Sequence, residues 1–419
     1  MEEVIVIEGG SKLEGSVRIS GSKNATVALI PATILANGPI TIYDVPDIAD
    51  VESLSHLLSF LNVEVHHKGD HIIIDPTYLK NIALDNPYVS KLRASYYFMG
   101  ALLGKFKEVK MKMPGGCYLG PRPIDLHLKG FEALGATITN EEGYMHVCAK
   151  ELIGTKIYLD IASVGATINI MMAAVYAKGR TVIENAAKEP EIIDVSSLLN
   201  KMGAQVRGAG TNVITIDGVE TLHGCTHEII PDRIEAGTYI IMAAACAKHM
   251  EITNVIPQHL EALLLKLEEM NVNLEIGIDK VVVKESEDLQ PIDIKTQPYP
   301  GFPTDLQQPL STLLTKVNGT SKVKDTIYPE RFKNCVQLQR MGANIDLSQG
   351  SSSIHGRTDL YAEEVEATDL RCGAALVIAG LMAKGQTTIR EIYHIDRGYD
   401  DLDGKLNSLG ATIRREKKY

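Results

Sequence analysis

The feature that most constrains the fold of this chain is a sixfold internal repeat. In each of six segments, a helix-like stretch ends at a small turn residue and a short strand follows. The segments read LNVEVHH, LGATITN, MGAQVRG, MNVNLEI, MGANIDL and LGATIRR, with turn residues Asn62, Gly135, Gly203, Asn271, Gly342 and Gly410. Successive turns lie 73, 68, 68, 71 and 68 residues apart. Because glycine and asparagine best tolerate the left-handed conformation at a helix end, each segment is predicted to close a helix.

Upstream of each turn, the repeat is predicted to contain two helices of different character. The first is apolar on nearly all faces, as in IMMAAVYAKG and LVIAGLMAKG, which indicates burial among other elements. The second is amphipathic, as in DVESLSHLLSFL and HLEALLLKLEEM. Each unit therefore reads strand, helix, strand, helix, strand. The core is expected to be aliphatic, since the chain has no Trp and six Phe.

Six such units allow either one solenoid or two globular domains of three units each. Solenoid repeats usually span about 20–50 residues and have atypical end caps. Longer units that each contain a fully apolar helix favour threefold domains with those helices in the core. We therefore expect two similar α/β domains, with a ligand site in the cleft between them.

Charge and hydropathy exclude several classes of function. The 42 basic and 53 acidic residues give a formal charge of −11, which argues against a general nucleic-acid or anionic-membrane surface. The start MEEVIVIEGG lacks the basic and apolar regions of a secretory signal. The longest apolar stretches are shorter than the ~18 residues of a membrane span. We expect a cytoplasmic protein with neither a nucleic-acid nor a membrane partner.

Cofactor motifs are absent from the sequence. It contains no GxxxxGK[ST] loop, no GxGxxG that opens a strand–helix unit, no CxxC pair and no metal-ligand spacing. These absences predict an enzyme that uses no metal and no cofactor.

One cysteine has the setting of a reactive residue. Cys117 lies in MPGGCYLGPRPIDLH, behind two glycines that give its loop freedom to approach a ligand. A nearby Arg122 or His127 would favour the thiolate or tune proton transfer. The alternative is a loop cysteine with no role. That alternative is preferred for the other five, which are Cys148, Cys225, Cys246, Cys335 and Cys372.

Basic residues recur where single repeats depart from the shared pattern. Lys23 and Asn24 precede the first apolar helix, where a lysine is unfavourable for the helix dipole unless it helps to hold an anion. The alternative is a solvated lysine. Arginines occupy similar edges of the repeats, where a strand or loop meets a helix. Each alone could be a surface residue; they are Arg93, Arg122, Arg331, Arg371 and Arg397. If these edges line the cleft, they suit a substrate with several phosphates or carboxylates.

Two acidic residues stand at comparable edges. Asp305, in PGFPTDLQ, lies between a proline-rich turn and an apolar helix, which fits either a helix N-cap or a base acting on a substrate hydroxyl. Asp369 precedes Arg371 in ATDLRCGAAL.

These motifs resemble the UDP-N-acetylglucosamine enolpyruvyl transferases over essentially the whole chain. The segments that carry the resemblance are GSKNA, LRAS, PGGCYLGPRPIDLH, SVGATINIM, AAKEPEIIDV, IPDRIEAGTY, PGFPTDLQ, ERF, RMGA, ATDLR and HIDRGY. The segments RASYYFMGALLG and GPRPID are most similar to the second isozyme of many low-GC Gram-positive bacteria.

The resemblance implies a fold and a reaction. The fold is two inside-out α/β barrels of three repeats each, one formed by residues 22–229 and the other by 1–21 with 230–419. The reaction moves the enolpyruvyl group of phosphoenolpyruvate onto the 3′-hydroxyl of UDP-N-acetylglucosamine and releases phosphate by addition–elimination. It is the first committed step of peptidoglycan synthesis and needs no cofactor.

The resemblance also implies roles for individual residues. Cys117 would protonate the methylene carbon of phosphoenolpyruvate, form a covalent adduct with it and be the target of fosfomycin, while Asp305 would take the 3′-hydroxyl proton. The residues matched to phosphoenolpyruvate are Lys23, Asn24, Arg122 and Arg397, of which Lys23 and Arg397 count as catalytic. Those matched to the nucleotide sugar are Asn24, Arg93, Arg122, Pro123, Ile124, Asp125, Leu126, Ile161, Ala162, Ser163, Val164, Asp305 and Ile327. Supporting residues are His127, Arg331, Asp369 and Arg371.

Three other functions are compatible with parts of this pattern. The sister transferase that acts on shikimate 3-phosphate shares the fold but lacks the PGGC loop. A paralogue without turnover would bind the nucleotide sugar, but each catalytic position is filled here. A repeat scaffold without a ligand would not need such unequal charge among its repeats.

Overall fold

The computed structural model describes residues 2–112 and 124–418, in which the chain divides into two compact units. Unit 1 combines residues 1–20 with 231–419, and unit 2 is residues 21–230. Each unit has its own aliphatic core.

The elements of both units are named here in chain order. The described strands are β1 (Glu2–Glu8), β2 (Leu13–Arg18), β3 (Ile40–Tyr43), β4 (Glu64–Lys68), β5 (His71–Asp75), β6 (Glu108–Lys112), β7 (Thr137–Glu141), β8 (Tyr144–Cys148), β9 (Lys156–Tyr158), β10 (Arg180–Glu184), β11 (Gln205–Arg207), β12 (Val213–Asp217), β13 (Thr226–Glu228), β14 (Ala247–Thr253), β15 (Asn273–Ile276), β16 (Lys280–Lys284), β17 (Ile294–Lys295), β18 (Gly319–Lys324), β19 (Asn344–Ser348), β20 (Ser351–Gly356), β21 (Glu364–Glu366), β22 (Gln386–Arg390) and β23 (Thr412–Lys418). The described helices are α1 (Lys23–Ala32), α2 (Ala49–Phe60), α3 (Pro87–Lys91), α4 (Tyr97–Phe106), α5 (Asp125–Ala133), α6 (Val164–Ala174), α7 (Pro190–Lys201), α8 (Arg233–Cys246), α9 (Glu261–Glu269), α10 (Gln307–Leu314), α11 (Lys333–Arg340), α12 (Leu370–Met382), α13 (Tyr393–Asp396) and α14 (Leu402–Ser408). Short 3₁₀ turns are Thr33–Leu35, Arg93–Tyr96, Pro257–Leu260 and Thr304–Leu306.

The predicted repeat is confirmed by one sheet pattern that recurs within each unit. Unit 2 contains sheets of order β13-β3-β5-β4, β6-β8-β7 and β9-β10-β12-β11. Unit 1 contains β2-β14-β16-β15, β17-β18-β20-β19 and β21-β22-β1-β23. In each four-stranded sheet the first pair is parallel and the other pairs are antiparallel. In the three-stranded sheet, a parallel bridge from Leu84 to Met111 takes the place of the edge strand.

The repeat has one strand more than the predicted three. The additional strand follows the closing strand through a short turn, as β8 follows β7 across Glu142 and Gly143. Both of these residues have positive φ, as a tight two-residue hairpin turn requires. The sequence prediction ended each repeat at its closing strand and did not include the hairpin partner that follows.

Strands distant in sequence close each unit. In unit 2, β13 near the end pairs in parallel with β3 near the start. In unit 1, the N-terminal β1 lies between β22 and β23, and β2 pairs in parallel with β14. The first 18 residues thus complete two of the three sheets of unit 1.

The predicted helix-ending turns are confirmed at all six positions. Their φ angles are positive, from 64° at Asn62 to 106° at Gly203. The apolar helices are also confirmed as the buried ones, since every residue of α8 and nearly every residue of α12 is buried. The corresponding central helices are α1, α4 and α6 in unit 2 and α8, α10 and α12 in unit 1.

Glycines set how closely two central helices of unit 2 approach each other. Gly100 and Gly104 lie one turn apart on α4, on the face that packs against α6. A Cβ at Gly104 would come within 2.7 Å of the Met172 carbonyl oxygen. Because that obstacle is backbone, it has no side-chain rotamer that relieves the clash.

We expect Gly104→Ala to lower the free energy of unfolding by about 1–3 kcal/mol, because overpacking outweighs the better helix propensity of alanine. The measurement is urea unfolding followed by circular dichroism. The matched control is Gly38→Ala, whose new Cβ would meet its nearest neighbour at 3.6 Å. The control is expected to stay within about 0.5 kcal/mol of the parent; equal effects of the two changes would contradict the packing argument.

Candidate functional site

The starts of the central helices are where the repeats differ. Side chains cap four of these helices: Ser22 on α1, Ser163 on α6, Asp232 on α8 and Asp369 on α12. The other two, α4 and α10, have no side-chain cap and instead follow the 3₁₀ turns Arg93–Tyr96 and Thr304–Leu306. Those turns contain the predicted site residues Arg93 and Asp305.

The same tripeptide, Thr-Asp-Leu, has different roles before α10 and α12. Asp369 Oδ1 accepts hydrogen bonds from the backbone N–H groups of Arg371 (2.9 Å) and Cys372 (3.1 Å). Asp305 lies within its 3₁₀ turn, and α10 begins after Leu306 without a side-chain cap. The alternative of an N-cap role for Asp305 is therefore wrong.

Two buried arginines hold the Asp305 carboxylate. Arg331 donates to Oδ1 at 2.8 Å, and Arg371 donates to Oδ2 at 3.4 Å. The arginine side chains are 5% and 3% exposed, while Asp305 is 24% exposed. Opposite charges at this distance favour the ionised carboxylate. The arrangement thus fixes the orientation of a partly exposed carboxylate.

Other side chains in turn position the two arginines. Arg371 also donates to the Tyr399 hydroxyl at 3.2 Å, which contacts the Thr238 hydroxyl at 2.9 Å. Burial alone would lower the pKa of Arg371, but Asp305 and other nearby groups raise it above its ordinary value. Tyr399 is a residue that sequence reasoning missed, although it stands in the quoted HIDRGY motif.

A second missed residue is Asp325, which is 1% exposed. Its carboxylate accepts hydrogen bonds from the hydroxyls of Thr296 (2.8 Å) and Thr304 (2.7 Å). It also accepts from the backbone N–H of Ile327 (2.9 Å) and of Tyr328 (2.8 Å). Asp325 thereby ties the predicted Ile327 to the turn that contains Asp305. The signal available in the sequence was an acidic residue directly after a strand.

The remaining predicted residues of unit 1 lie close to this group. Asp369 accepts a hydrogen bond from Gln308 Nε2 at 3.2 Å. Burial lowers the pKa of His394, and the charge of Arg397 lowers it further, whereas Asp369 acts in the opposite direction. The structure therefore brings Asp305, Arg331, Asp369 and Arg371 together beside the starts of α10 and α12. Arg397 ends α13, and the next residue, Gly398, packs against Leu370 at the start of α12.

In unit 2, Lys23 begins α1 behind the cap Ser22. Its ammonium lies 3.3 Å from the carboxylate of Asp50, which is buried in the first turn of α2. Asn24 follows in the same helix turn. The lysine that is unfavourable for the helix dipole is thus compensated by a buried carboxylate.

A second group in unit 2 surrounds His127 on α5. The Arg93 guanidinium lies over the Tyr96 ring, 5.9 Å from its centroid, and the rings of Tyr96 and His127 form a T-shaped pair with centroids 4.9 Å apart. Asn169 on α6 lies 2.9 Å from Nδ1 of His127. Burial lowers the pKa of His127 to about 4, and the charge of Arg93 adds to the shift.

The stretches matched to the nucleotide sugar start the two helices beside His127. Ile124, Asp125 and Leu126 lie at the start of α5, and 161–164 lead into α6, where Ser163 Oγ accepts from the Ala166 N–H at 3.2 Å. Lys129 bonds Asp160 at 2.8 Å and so joins the two segments. Ile161 is 69% exposed, whereas its neighbours are partly buried.

Three predicted residues, Cys117, Arg122 and Pro123, lie outside the described residues. The other five cysteines are free thiols. Burial raises the pKa of Cys246, Cys335 and Cys372 to about 12, which makes them poor nucleophiles at neutral pH.

Neither a metal centre nor a membrane span is found in the described ranges. Within 2–112 and 124–418, no three His, Cys, Asp or Glu side chains are grouped as a metal ion would require. Among the helices of the same residues, none combines the length and apolar composition needed to cross a bilayer.

Known proteins place this chain in a family. The profile described as EPSP synthase (3-phosphoshikimate 1-carboxyvinyltransferase) matches residues 7–406. UDP-N-acetylglucosamine 1-carboxyvinyltransferase 2 of Geobacillus kaustophilus is 57% identical over 417 residues, covering 100% of this chain and 97% of that protein. The chain belongs to the UDP-N-acetylglucosamine 1-carboxyvinyltransferase family. The proteins of the same name from Bacillus subtilis and Listeria monocytogenes are 57% and 55% identical, over 99% of this chain and 97% and 98% of theirs.

Solved structures confirm the predicted fold class. The enolpyruvyl transferase NikO from Streptomyces tendae matches with a TM-score of 0.90 at 25% identity, over 99% of both chains. EPSP synthase from Acinetobacter baumannii matches with a TM-score of 0.74 at 19% identity, over 100% of both chains, and so shows the shared fold alone. The number 2 in the names of the relatives agrees with the predicted resemblance to the second isozyme.

We expect Asp325→Asn to lower the free energy of unfolding by about 2–3 kcal/mol. At either carboxylate oxygen an amide nitrogen would face an N–H donor, from the backbone of Ile327 and Tyr328 or from Gln307 Nε2. Urea unfolding gives this value. Asp346→Asn, at a side chain that is 80% exposed, is the matched control and is expected to change stability by less than about 0.5 kcal/mol. A loss no larger than that of the control would show that Asp325 does not organise the turn.

The free energy of unfolding is expected to decrease as pH is lowered, because of His127. Its pKa is about 4 in the folded protein and about 6.5 when unfolded, so only the unfolded chain binds the proton between these values. The contribution is fully present above about pH 6.5 and is lost as pH falls towards about 4, by about 3 kcal/mol in total.

This dependence is tested by urea unfolding of the parent and of His127→Gln at about pH 7.5 and about pH 4.5. The parent should lose more stability than the variant by roughly the stated amount. Parallel losses in the two proteins would contradict a neutral buried His127.

Proposed function

We propose that this chain transfers the enolpyruvyl group of phosphoenolpyruvate to the 3′-hydroxyl of UDP-N-acetylglucosamine and releases phosphate. The observation that carries the proposal is 57% identity, along the whole chain, to proteins named UDP-N-acetylglucosamine 1-carboxyvinyltransferase 2. The fixed anion at Asp305 supports it, because such a carboxylate suits the orientation and deprotonation of a hydroxyl group.

In the addition step, the 3′-oxygen of the sugar forms a bond to C2 of phosphoenolpyruvate. The hydroxyl proton passes to Asp305, and the thiol of Cys117 gives a proton to C3, which becomes a methyl group. In the elimination step, the bond between C2 and the phosphate oxygen breaks, one methyl proton returns to the Cys117 thiolate, and the proton held by Asp305 leaves with the phosphate. The products are the enol ether of the nucleotide sugar and inorganic phosphate.

Arg331 and Arg371 explain how the Asp305 carboxylate is oriented before the proton transfer. Each oxygen of the carboxylate already has one guanidinium partner, so its orientation is fixed before the substrate arrives. Pre-oriented groups lower the barrier because little reorganisation remains during the reaction. Arg331 and Arg371 therefore act in this proposal as positioning residues for Asp305.

The proposed anion contacts come from basic and amide side chains. Lys23, Asn24, Arg122 and Arg397 would hold the phosphate and carboxylate of phosphoenolpyruvate. Lys23 supports this role because Asp50 fixes its ammonium at a helix start, where backbone N–H groups also favour an anion. Arginine adds paired planar donors that match carboxylate and phosphate groups.

The nucleotide sugar is proposed to contact residues of both helix starts beside His127. At those helix starts the proposed contacts are Ile124, Asp125, Leu126, Ile161, Ala162, Ser163 and Val164. The other proposed contacts are Asn24, Arg93, Arg122, Pro123, Asp305 and Ile327. The Arg93 guanidinium lies over the ring of Tyr96, the residue that contacts His127. Ile327 is fixed through its backbone by Asp325.

Residues 22–229 and residues 1–21 with 230–419 are proposed as the two functional domains. We further propose a cytoplasmic enzyme of peptidoglycan synthesis, since both substrates are small soluble metabolites.

The first test is phosphate release from phosphoenolpyruvate, with UDP-N-acetylglucosamine as acceptor in one tube and shikimate 3-phosphate in another. Release with the nucleotide sugar alone is expected. Release with shikimate 3-phosphate instead would overturn the proposed acceptor, and release with neither acceptor would favour a binding protein without turnover.

We expect Cys117→Ala to lower kcat by about 10²- to 10⁴-fold, the range that general acid catalysis contributes. Cys117→Asp is expected to keep measurable turnover, because a carboxylic acid also donates a proton, and to resist thiol alkylation. Steady-state phosphate release measures both. Cys225→Ala, which removes a half-buried thiol elsewhere in unit 2, is the matched control with parental kcat. Parental kcat in Cys117→Ala would exclude the proton-donor role.

A further inference from the structure

Asn169 connects three elements of unit 2 through one fully buried amide. It lies on α6 and is 0% exposed. Its Oδ1 accepts a hydrogen bond from the Gly100 N–H on α4 at 2.8 Å. Its Nδ2 donates to the Tyr96 carbonyl at 3.0 Å and lies 2.9 Å from His127 Nδ1 on α5.

The partners of this amide fix which way it points. A backbone N–H only donates, so the atom facing Gly100 must be the amide oxygen. A backbone carbonyl only accepts, so the atom facing Tyr96 must be the amide nitrogen. The two constraints agree, and the second hydrogen of Nδ2 is therefore directed at His127.

The orientation of the amide determines the protonation of the imidazole ring. A nitrogen that receives the Asn169 N–H must have a free lone pair, so Nδ1 of His127 carries no proton. The ring is then neutral and carries its proton on Nε2. Its burial and the charge of Arg93 both disfavour the imidazolium form, which leaves the pKa of His127 at about 4. Tyr96 is the titratable side chain in direct ring contact with it.

The protonated edge of the ring faces the first turn of α6. A Cβ placed on Gly165 would lie 2.9 Å from His127 Cε1, 3.1 Å from Nε2 and 2.9 Å from the Tyr96 hydroxyl. A glycine is thus required there, and the imidazole edge lies directly over its Cα. Within the described part of the chain, Nε2 has no hydrogen-bond partner, although His127 is only 6% exposed.

We infer that Asn169 is a positioning residue, which holds His127 as a neutral Nε2–H donor for an acceptor oxygen of the nucleotide sugar at the first turn of α6. The identity of that ligand rests on the proposed function. The donor does not change its charge near neutral pH, so its contact with the ligand is independent of pH there. A histidine of ordinary pKa would instead gain a charge in the same interval.

The direct test is ¹⁵N NMR of the histidine rings in the full-length parent protein. The signals of His127 are assigned by their absence in His127→Gln. We expect a neutral ring protonated on Nε2 from about pH 5.5 to about pH 8.5, an interval that brackets the unperturbed pKa of about 6.5. A proton on Nδ1, or titration near pH 6.5, would overturn the inference without reference to enzyme activity.

Addition of ligand to the same sample tests the role of the donor. UDP-N-acetylglucosamine is expected to shift the Nε2–H signal of His127, and phosphoenolpyruvate alone is expected to leave it in place. An unchanged signal with saturating nucleotide sugar, in a protein that releases phosphate normally, would overturn the contact while the proposed function stands. A fixed Nε2–H tautomer in a protein that releases no phosphate would support the positioning role of Asn169 and overturn the proposed function.

Asn169→Asp is the variant that reverses the polarity of the contact. Its carboxylate accepts from the Gly100 N–H but presents an acceptor to His127, so the ring proton should move to Nδ1 and the ring should titrate at higher pH. The KM for UDP-N-acetylglucosamine is expected to rise about tenfold, which equals about 1.4 kcal/mol. The KM for phosphoenolpyruvate should change less than about twofold, and kcat should change little.

Thr167→Val is the matched control, because Thr167 is an equally buried residue of α6 whose hydroxyl accepts from the Ala187 N–H at 3.1 Å, away from His127. It should lower stability without altering the tautomer of His127 or the ratio of the two KM values. Equal KM changes in this control and in Asn169→Asp would reduce Asn169 to a structural role. The NMR measurement on the parent remains decisive if Asn169→Asp does not fold.

Discussion

Each unit of this chain contains three central helices that are buried on nearly every face, and such helices are stable only when protein covers them on all sides. The sheets of the repeats supply that cover, closed by strands from distant parts of the sequence. Backbone N–H groups lack partners at the helix starts, where polar side chains collect, while buried polar side chains within the helices, such as Asn169, bond to neighbouring elements. The predicted site residues of unit 1 and those around α1, α5 and α6 lie at such ends. The location of the chemistry is thus a consequence of how the core is built.

Departures from the repeat produce the site. In most repeats a side chain caps the central helix: Ser22, Ser163 and Asp369 accept hydrogen bonds from the first backbone N–H groups of their helices. Before α10, Asp305 lies in a 3₁₀ turn and does not cap the helix. Two arginines hold its carboxylate instead. The sequence is the same, Thr-Asp-Leu, so the difference comes from the surroundings. Asp325, which bonds the hydroxyl of Thr304 in that turn, is the part of those surroundings that secures the alternative geometry.

Local sequence patterns predicted the features that depend only on neighbouring residues. The left-handed turns at Asn62 and Gly203 follow from residue type and position, and the buried helices follow from their uniform hydrophobicity. The role of Asn169 could not be found this way, because its partners lie 42, 69 and 73 residues away in sequence. The partners of Asp325 are similarly dispersed. The roles given to Cys117, Arg122 and Pro123 rest on the family resemblance, since those residues lie outside the described ranges.

Two kinds of polar arrangement occur at these helix starts, which bears on how an acidic protein could hold anionic substrates. Around Asp305, buried cations are paired with a carboxylate, and Lys23 is paired with Asp50. Each pair keeps a cation in a low-dielectric setting without a large net charge, and an isolated cation there would be far more costly. Around His127 the donor is neutral, and its direction is set by hydrogen bonds. In the proposed sites, recognition would therefore depend on fixed donor geometry more than on net positive charge, which is compatible with a formal charge of −11 for the chain.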